Sequence, residues 1–159
     1  AAGGATVEGA ELSVNARFLD GLTATGALAY QNARMSENEP RLGARKDERL
    51  PNVPRSTATL NVDYEFSSNL QPVIGTTVRY VSDRMASFDG NLGFPQYRLP
   101  EYTSVDVRFG LLLGNVNTRL YVHNVFDERG QLSAGTNFGP PHVSILQPRT
   151  VGVGASLQF

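Results

Sequence analysis

Alternation of apolar and polar residues is the feature that most constrains the fold of this chain. Along residues 56–66 the even-numbered positions from Ala58 to Phe66 are apolar, and the odd-numbered positions are polar. A period of two is typical of a strand with one apolar face, and about ten residues form a tilted strand that crosses a bilayer. Since no apolar run approaches the ~18 residues of a membrane helix, the pattern favours an all-β fold.

Six further segments alternate in the same way and complete a set of seven predicted antiparallel strands. They are residues 6–18, 22–34, 71–83, 103–111, 117–124 and 150–159. The connections between the strands are short near residues 19–21, 67–69 and 114–115, and long near 35–55, 84–102 and 125–147. Outer-membrane barrels have short periplasmic turns and long extracellular loops. The lengths therefore favour an up-and-down transmembrane β-barrel over a soluble sandwich, which also alternates.

The positions of the aromatic residues support a barrel whose short turns are periplasmic. If the short turns are periplasmic, Phe18, Tyr64, Phe66 and Phe159 point outward at one rim of the membrane. Tyr30 and Tyr80 point outward near the opposite rim, so the chain carries two partial aromatic girdles. We expect the even-numbered residues from Ala58 and the odd-numbered residues from Val151 to face lipid.

Composition excludes several other classes of protein. The net charge of -1 is not that of a nucleic-acid binder. The chain has no cysteine, which excludes disulfides and thiolate metal sites, and its two histidines are far apart in sequence. We predict no metal site, no cofactor and no nucleic-acid partner.

Seven strands would leave two open edges, whose unpaired backbone groups cost several kcal/mol each in hydrocarbon. The first residues also lack the basic and apolar regions of a signal peptide. We therefore expect residues 1–159 to be part of a longer protein.

Five short motifs occur at the predicted strand boundaries. They are VEGAEL at residues 7–12, LPNVP at 50–54 before the strand that ends at Phe66, LPEYTSVD at 99–106, YVHNVFD at 121–127, and QPRTVG at 147–152. In this order they resemble the TonB-dependent outer-membrane receptors, and the siderophore receptors in particular. The resemblance implies that residues 1–159 form about seven C-terminal strands of a 22-stranded barrel that encloses a plug domain, which this chain would lack.

The resemblance also implies a function. The complete protein would be an outer-membrane receptor of a Gram-negative bacterium that imports a scarce nutrient, most often a ferric siderophore, and it would not be an enzyme. Its partners would be outer-membrane lipid, the plug and remaining strands, the TonB complex, the barrel-assembly machinery and the small-molecule ligand. The sequence does not identify that ligand.

Two groups of residues are candidates for specific roles. Arginine and aromatic side chains in the second and third long loops suit the catecholate or carboxylate groups of a siderophore, although they equally suit a loop that packs on itself. These candidates are Arg84, Phe88, Phe94, Tyr97, Arg98 and His142. Gly154, Leu157 and Phe159 resemble the signal that the barrel-assembly machinery recognises, whereas Gly152 stands where a polar residue is usual.

Three alternatives remain open at this point. A passive porin would lack the NVFD and PRT motifs. A small outer-membrane barrel enzyme needs a catalytic group, for which only Asp106 with His123 suggests itself. A soluble lipocalin-like barrel would turn its apolar face inward, and dependence on detergent would separate it from a membrane barrel.

Overall fold

The computed structural model describes residues 3–135 and 140–157, and these form eleven β-strands. Their bounds are β1 Ala5–Arg17, β2 Leu22–Met35, β3 Ser56–Glu65, β4 Val73–Val81, β5 Arg84–Met85, β6 Arg98–Leu99, β7 Tyr102–Leu113, β8 Val116–His123, β9 Gln131–Gly135, β10 His142–Ile145 and β11 Thr150–Leu157. Within these ranges no helix is long and apolar enough to cross a membrane.

Seven long strands form one antiparallel sheet in the order β1-β2-β3-β4-β7-β8-β11. Each long strand pairs with the next long strand along the chain, which confirms the predicted up-and-down meander. The predicted ends differ from the observed ends by at most two residues, as for Gln71 against Val73; Phe159 lies outside the described residues. In the described part of the chain β1 and β11 each have one neighbour, so the sheet is open at both edges.

The register keeps the two faces of the sheet separate. Leu60 of β3 pairs with Gly26 of β2 and Val78 of β4, and Val78 pairs in turn with Val105 of β7. The outer face that results is continuous and exposed: Leu60 is 45% and Val153 75% accessible. Among the described residues these apolar side chains do not pack into a closed interior, which a lipocalin-like barrel would require.

The two ends of the sheet differ in their connections. The three short turns lie at one end, where Gly21 and Gly114 adopt the positive φ angles of +90° and +62° that glycine tolerates without strain. The long loops lie at the other end, because the strands run antiparallel. We call these ends the short-turn end and the long-loop end.

Two small hairpins lie in segments where the sequence predicts only loops. β5 pairs with β6, and β9 pairs with β10 with an irregularity between Ser144 and Ile145. Strands of two residues are too short to show a period of two, and a bulge shifts the alternation. Periodicity alone therefore does not predict these hairpins.

Candidate functional site: the long loops and the inner face

The first long loop, residues 36–55, folds back along the end of β2. The backbone N–H of Met35 donates to the carbonyl of Glu48 at 2.9 Å, and that of Leu50 donates to the carbonyl of Ala33 at 3.1 Å. Inside this fold Met35 and Ala44 are buried together with Phe88 of the second long loop, and Leu50 packs against them. The principal apolar cluster of the described residues thus lies between loops at the long-loop end.

Polar contacts also join the first long loop to the second, residues 82–101. The carboxylate of Glu48 accepts the backbone N–H of Arg45 at 2.9 Å and that of Asp89 at 2.7 Å. The backbone N–H of Gly90 donates to the carbonyl of Gly43 at 3.1 Å, in a contact too close for a side chain on either glycine. These two loops therefore pack as one unit.

Arg84 fastens the second loop to the third, residues 124–149. Its side chain is buried, with the whole residue 5% accessible, and one of its Nη atoms donates to the carbonyls of Gln131 at 3.0 Å and Leu132 at 2.8 Å. Its guanidinium lies 6.0 Å from the ring centroid of Tyr102, a cation–π distance. The Tyr97 hydroxyl donates to Oε1 of Gln131 at 2.9 Å.

The six candidate ligand residues divide into two groups. Arg84 and Phe88 are buried and hold the loops together, whereas Phe94 is half-buried and Tyr97, Arg98 and His142 are exposed. Arg98 lies on the face of β6 opposite to the buried Leu99, and its Nε is 3.3 Å from Oδ2 of Asp83. Gln131 brings Arg84 and Tyr97 together, and among the described residues no hydrogen bond joins His142 to the other five.

The NVFD motif, residues 124–127, and the PRT motif, residues 148–150, bring the two ends of the third loop together. We call this region the neck of the third loop. Asn124 is 5% accessible; its Nδ2 donates to the carbonyls of Glu128 at 2.9 Å and Gln147 at 2.8 Å, and its Oδ1 accepts the backbone N–H of Glu128 at 2.8 Å. Asp127 accepts the backbone N–H of Arg149 at 2.9 Å. The side chain of Asn124 therefore ties the end of β8 to the chain that leads into β11.

Asp127 is charged in this arrangement. The backbone N–H of Arg149 and the guanidinium of Arg129, 2.8 Å away, hold the pKa of Asp127 below its ordinary value because both stabilise the ionised carboxylate. Asn124 and Asp127 have φ angles of 52° and 53°, a left-handed conformation that asparagine and aspartate tolerate better than most residues.

The inner face of the sheet carries charged side chains in pairs. Asp63 and Arg108 form a salt bridge of 2.5 Å although β4 lies between their strands, and Gly75 is the register partner of both. An added Cβ at Gly75 would collide with this pair, so glycine leaves the space in which the two side chains meet. Arg108 also donates to the hydroxyl of Thr77 at 3.2 Å.

A second group on the inner face centres on Asp106. One carboxylate oxygen accepts the backbone N–H of Asn124 at 2.9 Å, and the other lies 2.8 Å from Nη1 of Arg79 and 3.4 Å from Nδ1 of His123. The sequence singled out Asp106 and His123, and the structure does bring them together. The sequence did not indicate that Asp106 also contacts Arg79 and Asn124. The position of Arg79 on the inward-facing side of its strand was the only signal for the first of these contacts. This carboxylate links the wall to the neck of the third loop.

No three His, Asp or Glu side chains in the described segments are grouped as metal ligands.

Of the proposed assembly residues, Leu157 points outward and Gly154 has open space around its Cα, while Phe159 lies outside the described residues. Gly152, the departure from the usual pattern, lies beneath the ring of Tyr121, which would clash with a Cβ there.

Comparison with known proteins gives a consistent answer. The model of a family described as "TonB dependent receptor-like, beta-barrel" matches residues 1–125. The metal-pseudopaline receptor CntO of Pseudomonas aeruginosa strain UCBPP-PA14 is 32% identical over 131 residues, which are 80% of this chain and 18% of that protein. The corresponding receptor of strain PAO1 is 33% identical over 132 residues, again 80% and 18% of the two chains. This chain thus spans less than a fifth of the length of these relatives.

Solved structures show the same fold. The ferric yersiniabactin uptake receptor FyuA from Yersinia pestis superposes with a TM-score of 0.83 at 24% identity, over 99% of this chain and 24% of that one. The ferric-catecholate import receptor Fiu from E. coli K12, in its closed form, gives 0.76 at 24% identity, over 99% and 21%. The relatives are receptors, which confirms that this chain is not an enzyme and excludes the barrel-enzyme alternative. The chain belongs to the TonB-dependent receptor-like β-barrel family.

Proposed function

We propose that this chain is the wall and the long loops of an outer-membrane receptor that imports a metal–chelator complex, most often a ferric siderophore, with energy from the TonB complex. The observation that carries the proposal is the seven-stranded meander with an apolar outer face and a charged inner face, which superposes on the FyuA barrel along 99% of its length. The names of the relatives supply the ligand class: metal-pseudopaline for CntO, and ferric yersiniabactin for FyuA.

The outer face supports a position in the outer membrane of a Gram-negative bacterium. A contiguous band of exposed apolar side chains is larger than soluble monomers tolerate, and a bilayer would cover it. We propose that the short-turn end faces the periplasm and that the long loops lie outside the cell. The outward side chains of Tyr30 and Tyr80, near the long-loop end, then mark the outer rim of the hydrocarbon layer.

We also propose that residues 1–159 are the C-terminal part of a 22-stranded barrel. The open edges at β1 and β11 would pair with the remaining strands of the same protein, and the charged inner face would surround a plug domain. The barrel-assembly machinery would recognise Gly154, Leu157 and Phe159 in the last strand.

Among the loop candidates, the exposed residues are the ones available to a ligand. Tyr97 and His142, with the half-buried Phe94, present hydrogen-bonding groups and aromatic surface near the hairpins of the second and third loops. Such groups suit the carboxylates or catecholates of a metal chelate. Arg84 and Phe88 would instead fix the loops on which these residues stand.

The test uses the complete receptor in a strain that lacks its own copy. Uptake of radiolabelled ferric complexes should require both the receptor and TonB. Uptake that is unchanged by deletion of TonB would contradict the proposal and indicate a passive porin. In the complex the Tyr97 hydroxyl would donate to the ligand instead of to Gln131, so Tyr97→Phe and His142→Ala should each weaken binding of the transported complex roughly tenfold, if each loses one hydrogen bond to a charged group. Tyr30→Phe, a similar change on the outer face, is the matched control and should leave binding unchanged.

A further inference from the structure

Arg84 carries a buried charge that the described part of the chain does not neutralise. The whole residue is only 5% accessible, and no described carboxylate forms an ion pair with its guanidinium. The carboxylate of Asp83, next to it in sequence, contacts Arg49 and Arg98 instead. Because an arginine side chain stays protonated in proteins, burial of Arg84 does not remove its charge.

The hydrogen bonds of Arg84 use only one end of its guanidinium. Nη2 donates to the carbonyls of Gln131 and Leu132, whereas Nη1 is enclosed and has no hydrogen-bond partner among the described residues. The ring of Tyr102, 6.0 Å from Cζ, attracts the cation weakly but is no substitute for an acceptor. A buried donor without a partner is costly, and more so when the group is charged.

The surroundings of Nη1 limit what can act as its partner. Leu99, the register partner of Arg84, is fully buried beside it in the β5–β6 hairpin, and the third loop covers the guanidinium from the other side. A large ligand or another domain would have to separate these two loops to reach Nη1, so the partner that fits this arrangement is small. A water molecule would accept the N–H groups and leave the charge, whereas a small anion would satisfy both.

We propose that Nη1 of Arg84 binds a small inorganic anion, represented by chloride, and that this anion stabilises the contact between the second and third long loops. With carbonyl oxygens at Nη2 and the anion at Nη1, the buried guanidinium has acceptors at both ends and a counter-charge. Since the third loop covers the guanidinium, the anion binds only while the two loops are in contact. By mass action, its concentration then controls how often the third loop opens.

The test measures opening of the third loop by limited proteolysis of the complete receptor in detergent. Sodium chloride is compared with sodium gluconate, whose anion is too large for an enclosed site, at equal ionic strength. Where cleavage follows the open population, chloride at about ten times its dissociation constant should slow cleavage between residues 131 and 145 about tenfold. Equal cleavage in the two salts would overturn the proposal, since a water molecule would then suffice at Nη1.

Two variants separate this site from a general effect of salt. Arg84→Gln removes the buried charge and should abolish the difference between the two salts. Arg98→Gln removes an exposed arginine from the same hairpin and should retain the full difference. A difference that persists in Arg84→Gln would refute the role of Arg84.

A second measurement needs no variant, so it does not depend on whether Arg84→Gln folds correctly. Crystals of the complete receptor soaked in sodium bromide should show an anomalous scattering peak within hydrogen-bond reach of Nη1 of Arg84. Ordered second and third loops without such a peak would overturn the proposal. Either result leaves TonB-dependent uptake, and with it the proposed function, to its own test.

Discussion

Replacement of Gly75 by alanine tests whether the inner face depends on the ion pair that crosses it. An ideal Cβ at Gly75 would lie 2.7 Å from Nε and 2.8 Å from Cζ of Arg108, and it would also collide with Oδ1 of Asp63. The Asp63–Arg108 pair must therefore separate or shift. Hydrogen bonds to charged groups contribute about 1.5–3 kcal/mol, and we reduce this to about 1–2 kcal/mol because both side chains are about one-third exposed.

The backbone acts in the opposite direction. Alanine in a strand is favoured over glycine by about 0.5–1 kcal/mol, so Gly75→Ala should lower the free energy of unfolding by about 1 kcal/mol in total. In a background of Asp63→Ala with Arg108→Ala the obstacle is gone, and the same substitution should raise the free energy of unfolding by about 0.5–1 kcal/mol. This reversal of sign is the distinctive expectation.

The measurement is a denaturant titration of the complete receptor in detergent micelles, followed by far-UV circular dichroism, with the midpoint and slope determined for each variant. Gly110→Ala is the matched control: it lies on the inner face of the neighbouring strand, and its nearest contact would be 3.6 Å, to the carbonyl oxygen of Thr118. It should be neutral or stabilising. A destabilisation by Gly75→Ala that persists without Asp63 and Arg108 would refute the reasoning, since the cost would then arise elsewhere.

Four further outcomes are expected. Asn124→Ala removes three hydrogen bonds at a buried position and should speed proteolysis of the third loop at least tenfold, with Asn117→Ala as control. The pKa of Asp127 is lower in the folded protein than in the unfolded chain, so ionised Asp127 stabilises this loop fully above the unfolded pKa. This stabilisation is lost as the pH falls through the folded pKa, which lies below the ordinary value of 3.8. Hydrogen exchange of the loop should therefore accelerate in acid in the wild type, and Asp127→Asn should lack this acceleration. Phe159→Ala should slow assembly in pulse-chase experiments more than it weakens the finished barrel, and normal kinetics would contradict an assembly role. Residues 1–159 expressed alone should elute from a sizing column in detergent as oligomers, because β1 and β11 have unpaired edges; a monodisperse, cooperatively melting monomer would show that the strand count is wrong.

The long strands could be predicted because one local rule determines them. Each strand must present an apolar residue to the same side at every second position, and a shift of one residue would turn the whole apolar set to the wrong face. The alternation from Ala58 to Tyr64 therefore predicts both the strand and its orientation. Because the apolar residues of neighbouring strands must face the same side, the alternation also limits the possible registers to those that differ by an even number of residues. The pairing of Leu60 with Val78 is one example.

The loops and the inner face could be predicted only in part, because their contacts are specific and distant in sequence. Glu48 accepts the N–H of Asp89 from 41 positions away, and Arg108 reaches Asp63 across an intervening strand. No local period encodes such pairs. Arg84 illustrates the difficulty. An exposed arginine in a loop would suit ligand binding, but Arg84 is the first residue of β5 and donates to backbone carbonyls of the third loop.

The two faces of this sheet should therefore differ in the substitutions that they tolerate. If lipid covers the outer face, as we propose, it would accept any apolar side chain of similar size, so the requirement at Leu60 or Val153 would be hydrophobicity rather than identity. On the inner face Gly75 and Asp106 depend on shape and on particular partners. Asp106 accepts hydrogen bonds from Arg79 of the wall and from the backbone of Asn124, whose side chain closes the neck of the third loop. One carboxylate thus joins the wall to that loop. A substitution at Asp106 should therefore destabilise both the contact with Arg79 in the wall and the neck of the third loop.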